Sequence, residues 1–177
     1  MFTIEQMARW GRSLATLLVL VAVSVVSAAS CRFLSRSTGE DAVAQREAVT
    51  RTHDAYVAAI NANTLDVWLT ALSDDVVYMV PNRAAIVGKA NVGSWVALYL
   101  EEAATHWTKQ VQDLVVAGDW AFARYVYAVS DTAMVMDPSV DGGGTASDSG
   151  WGFIVYHREA GVWRVARDGW SSDRPAR

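Results

Sequence analysis

One cysteine, three histidines and no run of basic residues are what this sequence of 177 residues has least of. A lone Cys31 cannot close an internal disulfide, so no disulfide framework holds the fold. His53, His106 and His157 stand far apart, with no His-x-x-x-His pair and no Cys/His cluster, so the pattern offers no dedicated metal site. Lys and Arg number 15 against 19 Asp and Glu, giving a net charge of −4 without a basic stripe, which argues against a nucleic-acid partner. No Gly-x-Ser-x-Gly elbow occurs, and the triple glycine at 142–144 lacks the Lys-Ser/Thr of a phosphate-binding loop. Neither a serine nucleophile nor a nucleotide cradle is therefore expected, and no cofactor is implied. Internal repeats are missing too.

What is present is apolar: 52% of the residues, enough for one compact domain with a substantial core. Seven of the eight tryptophans fall after residue 31. Large side chains with one polar atom suit a lined cavity, an ordinary core or a dimer face.

The N-terminus reads as an address. Arg9 and Arg12 precede an uncharged stretch, residues 13–30, which ends in small residues. A basic start, an apolar centre and a small-residue end describe a secretory signal peptide. The stretch also approaches the roughly 18 residues at which a membrane span becomes possible, so an uncleaved anchor stays open. Cys31 directly after Ala28-Ala29-Ser30 resembles a bacterial lipobox, with Ala in the usual Leu position, and a plain cut after Ala29 also satisfies the small-x-small rule. The expectation is residues 1–30 as a lipoprotein-type signal peptide, lipidation at Cys31, a polar linker over 31–40, and a domain over 41–175. It places the chain in the bacterial cell envelope, held to the membrane by lipid, or free in the periplasm or secreted after a plain cut.

From about Asp41 the pattern becomes helical, with Val49, His53, Tyr56 and Ile60 on one face of a long first helix. Asn63 or Thr64 can cap a second helix carrying Leu65, Trp68, Leu69 and Leu72, ended by Asp74-Asp75. Val76 to Val80 predicts a strand stopped by Pro81, Ile86 to Lys89 a short return strand, and Trp95 to Ala104 a third helix. Four strands follow: Trp107 to Val116, Trp120 to Ser130, Trp151 to Arg158 and Val162 to Trp170. A loop through Asp137-Pro138 and the triple glycine separates the middle two. Helices first and an antiparallel meander afterwards mean an α+β fold, three N-terminal helices packed on one face of a curved antiparallel sheet.

Two blocks carry a family resemblance. The first is Tyr56 to Pro81, followed by Ile86-Val87-Gly88-Lys89. The second is Asp148-x-Gly150, Phe153 to Tyr156 and Arg158, Gly161-x-Trp163-Arg164-Val165, and Asp168-x-Trp170-Ser171-Ser172-Asp173. Together with the strand order they resemble the NTF2-like superfamily of cone-shaped domains, in its SnoaL-like, DUF4440-type and ketosteroid-isomerase-like branches. The resemblance spans about residues 41–175 and implies a cone lined by a few decisive side chains. That scaffold hosts isomerases, cyclases, dehydratases, hydrolases and binding or assembly modules, so it implies no single reaction. Against the isomerase pattern, Tyr56 lands on the oxyanion-hole tyrosine, Val80 on the general base and Phe153 near the second oxyanion donor. Valine and phenylalanine cannot exchange protons, so that steroid mechanism is excluded.

Period-two alternation turns Val76, Tyr78 and Val80 toward the cone and Met79 away, then Ala166, Asp168 and Trp170 inward and Val165 and Arg167 outward. Asp168, beside Trp170 in an apolar cone, is the best acid/base candidate, with desolvation raising its pKa. It equally suits a carboxylate that accepts internal hydrogen bonds and closes the cone. Tyr56 is the matching donor or a core tyrosine. His53, Trp95, Tyr99 and Trp151 complete the candidate lining with Tyr78, Val80, Phe153 and Trp170. The expected function is a small apolar or aromatic ligand bound without the isomerase base. The alternatives are an isomerase, cyclase or dehydratase using Asp168 and Tyr56, and a dimeric interaction module pairing through the outer sheet face.

Overall fold

The computed structural model describes Gly39, residues 41–133 and residues 145–174. The signal peptide, Cys31, the linker apart from Gly39, and the glycine loop lie outside the described residues. The unit Gln45–Arg177 contains every element treated below, from the body of the first helix onward.

Helix α1 (41–61) buries Val49, His53, Tyr56 and Ile60, the face that the four-three-four spacing marks. Asn63, with φ of 52°, ends the run, and α2 (Leu65–Thr70) follows after Thr64. Strand β1 (Leu72–Met79) then begins earlier than expected. Asp74 and Asp75 do not end a helix; they stand inside β1, exposed, where its register against β6 shifts. The reason is local: Ala71 already caps α2, and its carbonyl accepts a bond from Val165 N–H at 2.9 Å, which commits the next residues to the sheet. Two-residue β2 (Ile86–Val87) pairs with β1. Gly88, at φ of 87°, breaks the strand as only glycine does readily, and α3 (Lys89–Glu102) starts there, a turn and a half before Trp95.

Strands β3 (Ala103–Ala117), β4 (Trp120–Ala133), β5 (Thr145–Glu159) and β6 (Val162–Ser172) form the meander. The six-stranded order is β2-β1-β6-β5-β4-β3, antiparallel except for the β1–β6 pair. The sheet is curved and unclosed, an α+β cone with its helices on the concave side.

An open sheet leaves β3 as an edge, and α1 covers it. The Asn63 amide exchanges two hydrogen bonds with Thr105, at 2.6 and 3.0 Å, and the Asn61 amide does the same with Trp107, at 2.7 and 2.9 Å. His53 Nε2 then reaches the Lys109 carbonyl at 2.9 Å, and Arg46 Nη1 the Leu114 carbonyl at 2.6 Å. Side chains of one helix thus occupy backbone groups that would otherwise template another strand.

The two sheet faces differ as period two requires. Ala121, Ala123, Tyr125, Tyr127, Ile154 and Tyr156 are buried, while Phe122, Trp151 and Phe153 are exposed. On β6 the alternation slips. A bulge at Ala166 of β6, opposite Val155 and Tyr156 of β5, leaves both Val165 and Ala166 fully buried, so Val165 does not point outward as expected. The same slip carries Asp168 inward.

Candidate functional site

Asp168 is fully buried near the middle of the cone, and its surroundings are not the apolar wall expected from sequence. Lys109 Nζ lies 2.5 Å from Oδ2, and the Lys109 side chain is 2% exposed. Tyr56 donates to the same oxygen at 2.8 Å, and Tyr125 donates to Oδ1 at 2.6 Å. Three donors on one carboxylate satisfy it with an opposite charge and two hydroxyls.

Hydrogen-bond direction around Asp168 follows from counting protons. Trp68 Nε1, which only donates, lies 2.9 Å from the Tyr78 hydroxyl. The single proton of Tyr56 goes to Asp168, so Tyr78 donates to Tyr56 across 2.7 Å. The chain therefore runs one way, from indole to phenol to phenol to carboxylate. Burial pushes the Tyr56, Tyr78 and Tyr125 phenols up, and the Asp168 charge pushes them further. They are hydrogen-bond donors that keep their protons.

Lys109 is held on its remaining sides by rings. Its Nζ stands 4.7 Å from the Tyr125 centroid, 4.9 Å from Tyr56, 5.1 Å from Trp107 and 5.6 Å from Trp170. Desolvation lowers its pKa, and the Asp168 charge acts the other way. Gly152 makes the packing possible: a Cβ there would fall inside the Tyr125 phenol, so glycine lets that ring cross β5 toward Asp168.

A second polar centre lies beside the first. A cavity of about 240 Å³ opens between α1 and β3, lined by Val49, Val111, Leu114 and Ala123 together with His53, Asp54, Lys109 and Tyr156. It sits where β3 bulges between Val111 and Asp113. His53 Nδ1 is 2.6 Å from the Tyr156 hydroxyl. Burial lowers the His53 pKa, against smaller opposing effects from the Lys109 carbonyl and the charges of Asp54 and Asp168.

The candidates named from sequence divide accordingly. Asp168, Tyr56, Tyr78 and Trp170 meet around Lys109, and His53 lines the cavity. Trp95 and Tyr99 stack on each other at 5.5 Å and pack against the core, with the Tyr99 hydroxyl on Asp131. Val80 is half-buried just past the end of β1 and is not part of the cavity wall. Trp151 and Phe153 are corrected outright: both lie on the outer face, because Gly150, Gly152 and Ile154 hold the inward positions of β5. Sequence reasoning missed Lys109, Tyr125 and Tyr156. Trp107, Lys109 and Val111 do alternate in phase, and a lysine between apolar partners on such a face was the available signal. Among the described residues, no group of three or more His, Cys, Asp or Glu converges on a common point.

A helix-covered, half-open antiparallel cone with a buried carboxylate at its centre defines the NTF2-like, ketosteroid-isomerase-like class of domains. The chain belongs to the SnoaL-like domain family, whose model matches residues 53–170. It is similar in structure to a ketosteroid isomerase-like protein from Erwinia carotovora atroseptica, with TM-score 0.64 and 22% identity over 74% of this chain and 98% of that one. A hexachlorocyclohexane dehydrochlorinase of type 2 also has TM-score 0.64, at 14% identity over 77% and 90% of the two chains. An NTF2-like protein from Pseudomonas putida has TM-score 0.56 at 16% identity, covering 73% and 87%. At such identities these structures share the fold alone. A search of curated proteins returns no match.

Proposed function

We propose that this domain binds a small, mainly apolar molecule in the cavity between α1 and β3, and that Asp168 is an internal anchor and not a catalytic base. One observation carries the reading: all the strong donors around Asp168 already point at it, whereas the space for a ligand lies elsewhere. A base needs a free lone pair facing its substrate. Asp168 faces an ammonium and two phenols. The cavity is smaller than the roughly 300–1,000 Å³ of sites for drug-sized ligands, so the occupant is small.

The isomerase, cyclase or dehydratase alternative draws on the bond between Tyr56 and Asp168, the two residues it requires. NMR titration of the purified chain with small aromatic and aliphatic probes separates the two. Shifts are expected at Val49, Val111, Leu114 and Ala123, with affinity little changed in Asp168→Asn at a temperature where that variant is folded. Silence at those four residues with every probe sinks the binding reading. Turnover of any probe that vanishes in Asp168→Asn installs the enzyme.

Export and pairing belong to the same proposal. The motif around Cys31 supports a lipid-anchored envelope protein. Mass spectrometry of the mature N-terminus should then find an acylated Cys31, and an unmodified N-terminus after Ala29 would refute the anchor. The outer sheet face supports a homodimer: Phe122 and Phe153 approach at 6.4 Å, and Arg124 lies 4.8 Å over the exposed Trp151 ring. Phe153→Arg is expected to halve the mass seen by light scattering, and a monomeric parent chain would remove the idea.

A further inference from the structure

The backbone edge of β3 is covered by α1 one residue at a time, and the cavity lies at the step that is missed. In an antiparallel ladder each residue turns its N–H and C=O to the same side, and alternate residues turn opposite ways. Thr105, Trp107 and Lys109 turn toward α1. The Asn63 amide both donates to and accepts from Thr105, and the Asn61 amide does the same with Trp107. At Lys109, His53 takes the carbonyl alone. Val111 is next in phase, and the register shifts only after it, between Val111 and Asp113. Arg46 then takes the Leu114 carbonyl, three residues further on instead of two, as one inserted residue requires.

Between His53 and Arg46, helix α1 has nothing to give Val111. Val49 is apolar and fully buried, and Thr50 turns its hydroxyl back to the Arg46 carbonyl at 3.0 Å. Among the described residues no side chain bonds the Val111 N–H or C=O. The cavity sits at this gap, with Val49 and Thr50 on one side and Val111 and Leu114 on the other. Its buried polar side chains are committed: Tyr156 donates to His53 Nδ1, His53 Nε2 to the Lys109 carbonyl, and the Lys109 ammonium to Asp168. Asp54 and Gln110 are exposed. A peptide strand cannot run along this edge, because His53 and Arg46 close it on either side. One donor–acceptor pair fits.

Resting on the binding reading above, we infer that the cavity takes a small neutral carboxamide. Its amide clasps the Val111 backbone as Asn61 clasps Trp107, and its apolar body lies against Val49, Leu114 and Ala123. A ketone of the same shape meets the Val111 N–H but turns a methyl group to the Val111 carbonyl, leaving an acceptor without a donor.

Benzamide and acetophenone, which differ by NH2 in place of CH3, test this by NMR on the purified full chain. Before either is added, the Val111 amide proton should exchange with solvent faster than that of Trp107, which Asn61 holds. Benzamide is expected to bind about tenfold more tightly than acetophenone, although it is the more polar of the two. It should also slow exchange at Val111. Acetophenone binding as tightly as benzamide, with shifts at Val49, Leu114 and Ala123, overturns the carboxamide while leaving the binding reading intact. So does a Val111 proton as protected as that of Trp107 in the ligand-free chain. Silence of the cavity residues with both probes overturns both.

Discussion

Two polar centres share the concave face of this sheet, and they are built on opposite principles. Around Asp168 one ammonium, two phenols and, further back, a third phenol and an indole all run toward a single carboxylate, while the buried Trp107 indole N–H beside Lys109 has no partner among the described residues. Around Tyr156 the chain of donors is short and uncharged, running from phenol to imidazole to the Lys109 carbonyl beside a cavity. The first is closed and charged. The second is neutral and borders a cavity. A closed centre contributes uniqueness to the core, since any rotation of its members strands a buried charge. A neutral one beside a cavity leaves space that a ligand can fill. Conspicuous buried charge is thus a poor guide to the functional end of this cone.

The comparison breaks most visibly at Lys109. Removing one partner of a buried ion pair leaves the other uncompensated, at a cost of about 3–5 kcal/mol. Lys109→Met should lower stability to urea by that much. Adding Asp168→Asn to Lys109→Met should recover part of the loss, because the amide still accepts from a phenol but carries no charge. A loss below about 1 kcal/mol would mean that the pair behaves as a solvated surface bridge. The centre would then not be closed.

A finer division sets tyrosine against tyrosine. Tyr125→Phe removes a bond to a charged oxygen, worth about 1.5–3 kcal/mol, whereas Tyr156→Phe removes a neutral one, worth about 0.5–1.5 kcal/mol. The two changes delete the same atom from fully buried rings on adjacent strands, so packing largely cancels between them. Denaturant midpoints at equal slope should fall further for Tyr125→Phe. The reverse order would mean that the His53 centre, not the Asp168 centre, holds the core.

The sequence already showed the first of these centres in part. The four-three-four face of α1 placed Tyr56 and His53 inward, and alternation placed Tyr78 and Asp168 there too, because period-two and helical patterns survive wherever one face is buried. Two kinds of information were not local. A bulge on β6 shifts phase by one residue, which is why Val165 came out buried, and nothing in Val162–Asp168 alone marks it. Lys109 reads as a solvent residue until β6 supplies its counter-charge from 59 positions away. Trp151 and Phe153 misled for a related reason: large aromatics invite an inward reading, yet Gly150 and Gly152 are the inward residues, emptied to admit the Ser171 carbonyl and the Tyr125 ring.

The smallest expected effect is a dependence on pH near neutrality, and it is carried by His53. His53 is neutral in the fold because burial lowers its pKa below the ordinary 6.5, while in the unfolded chain it takes up a proton near that value. Between the two pKa values the unfolded state binds more protons, so stability rises with pH there. The contribution is complete above about pH 6.5 and is lost as pH falls from 6.5 through the lower folded value. Protonation would also place a second N–H against the Tyr156 proton, breaking the bond between the two side chains. His53→Gln, which has no titrating group, should flatten that part of the profile in unfolding curves taken between pH 7.5 and 5. Lys109 remains in that variant, with the charges of Asp54 and Asp168 around the same position. A profile as steep in His53→Gln as in the parent would assign the acid sensitivity to those charges.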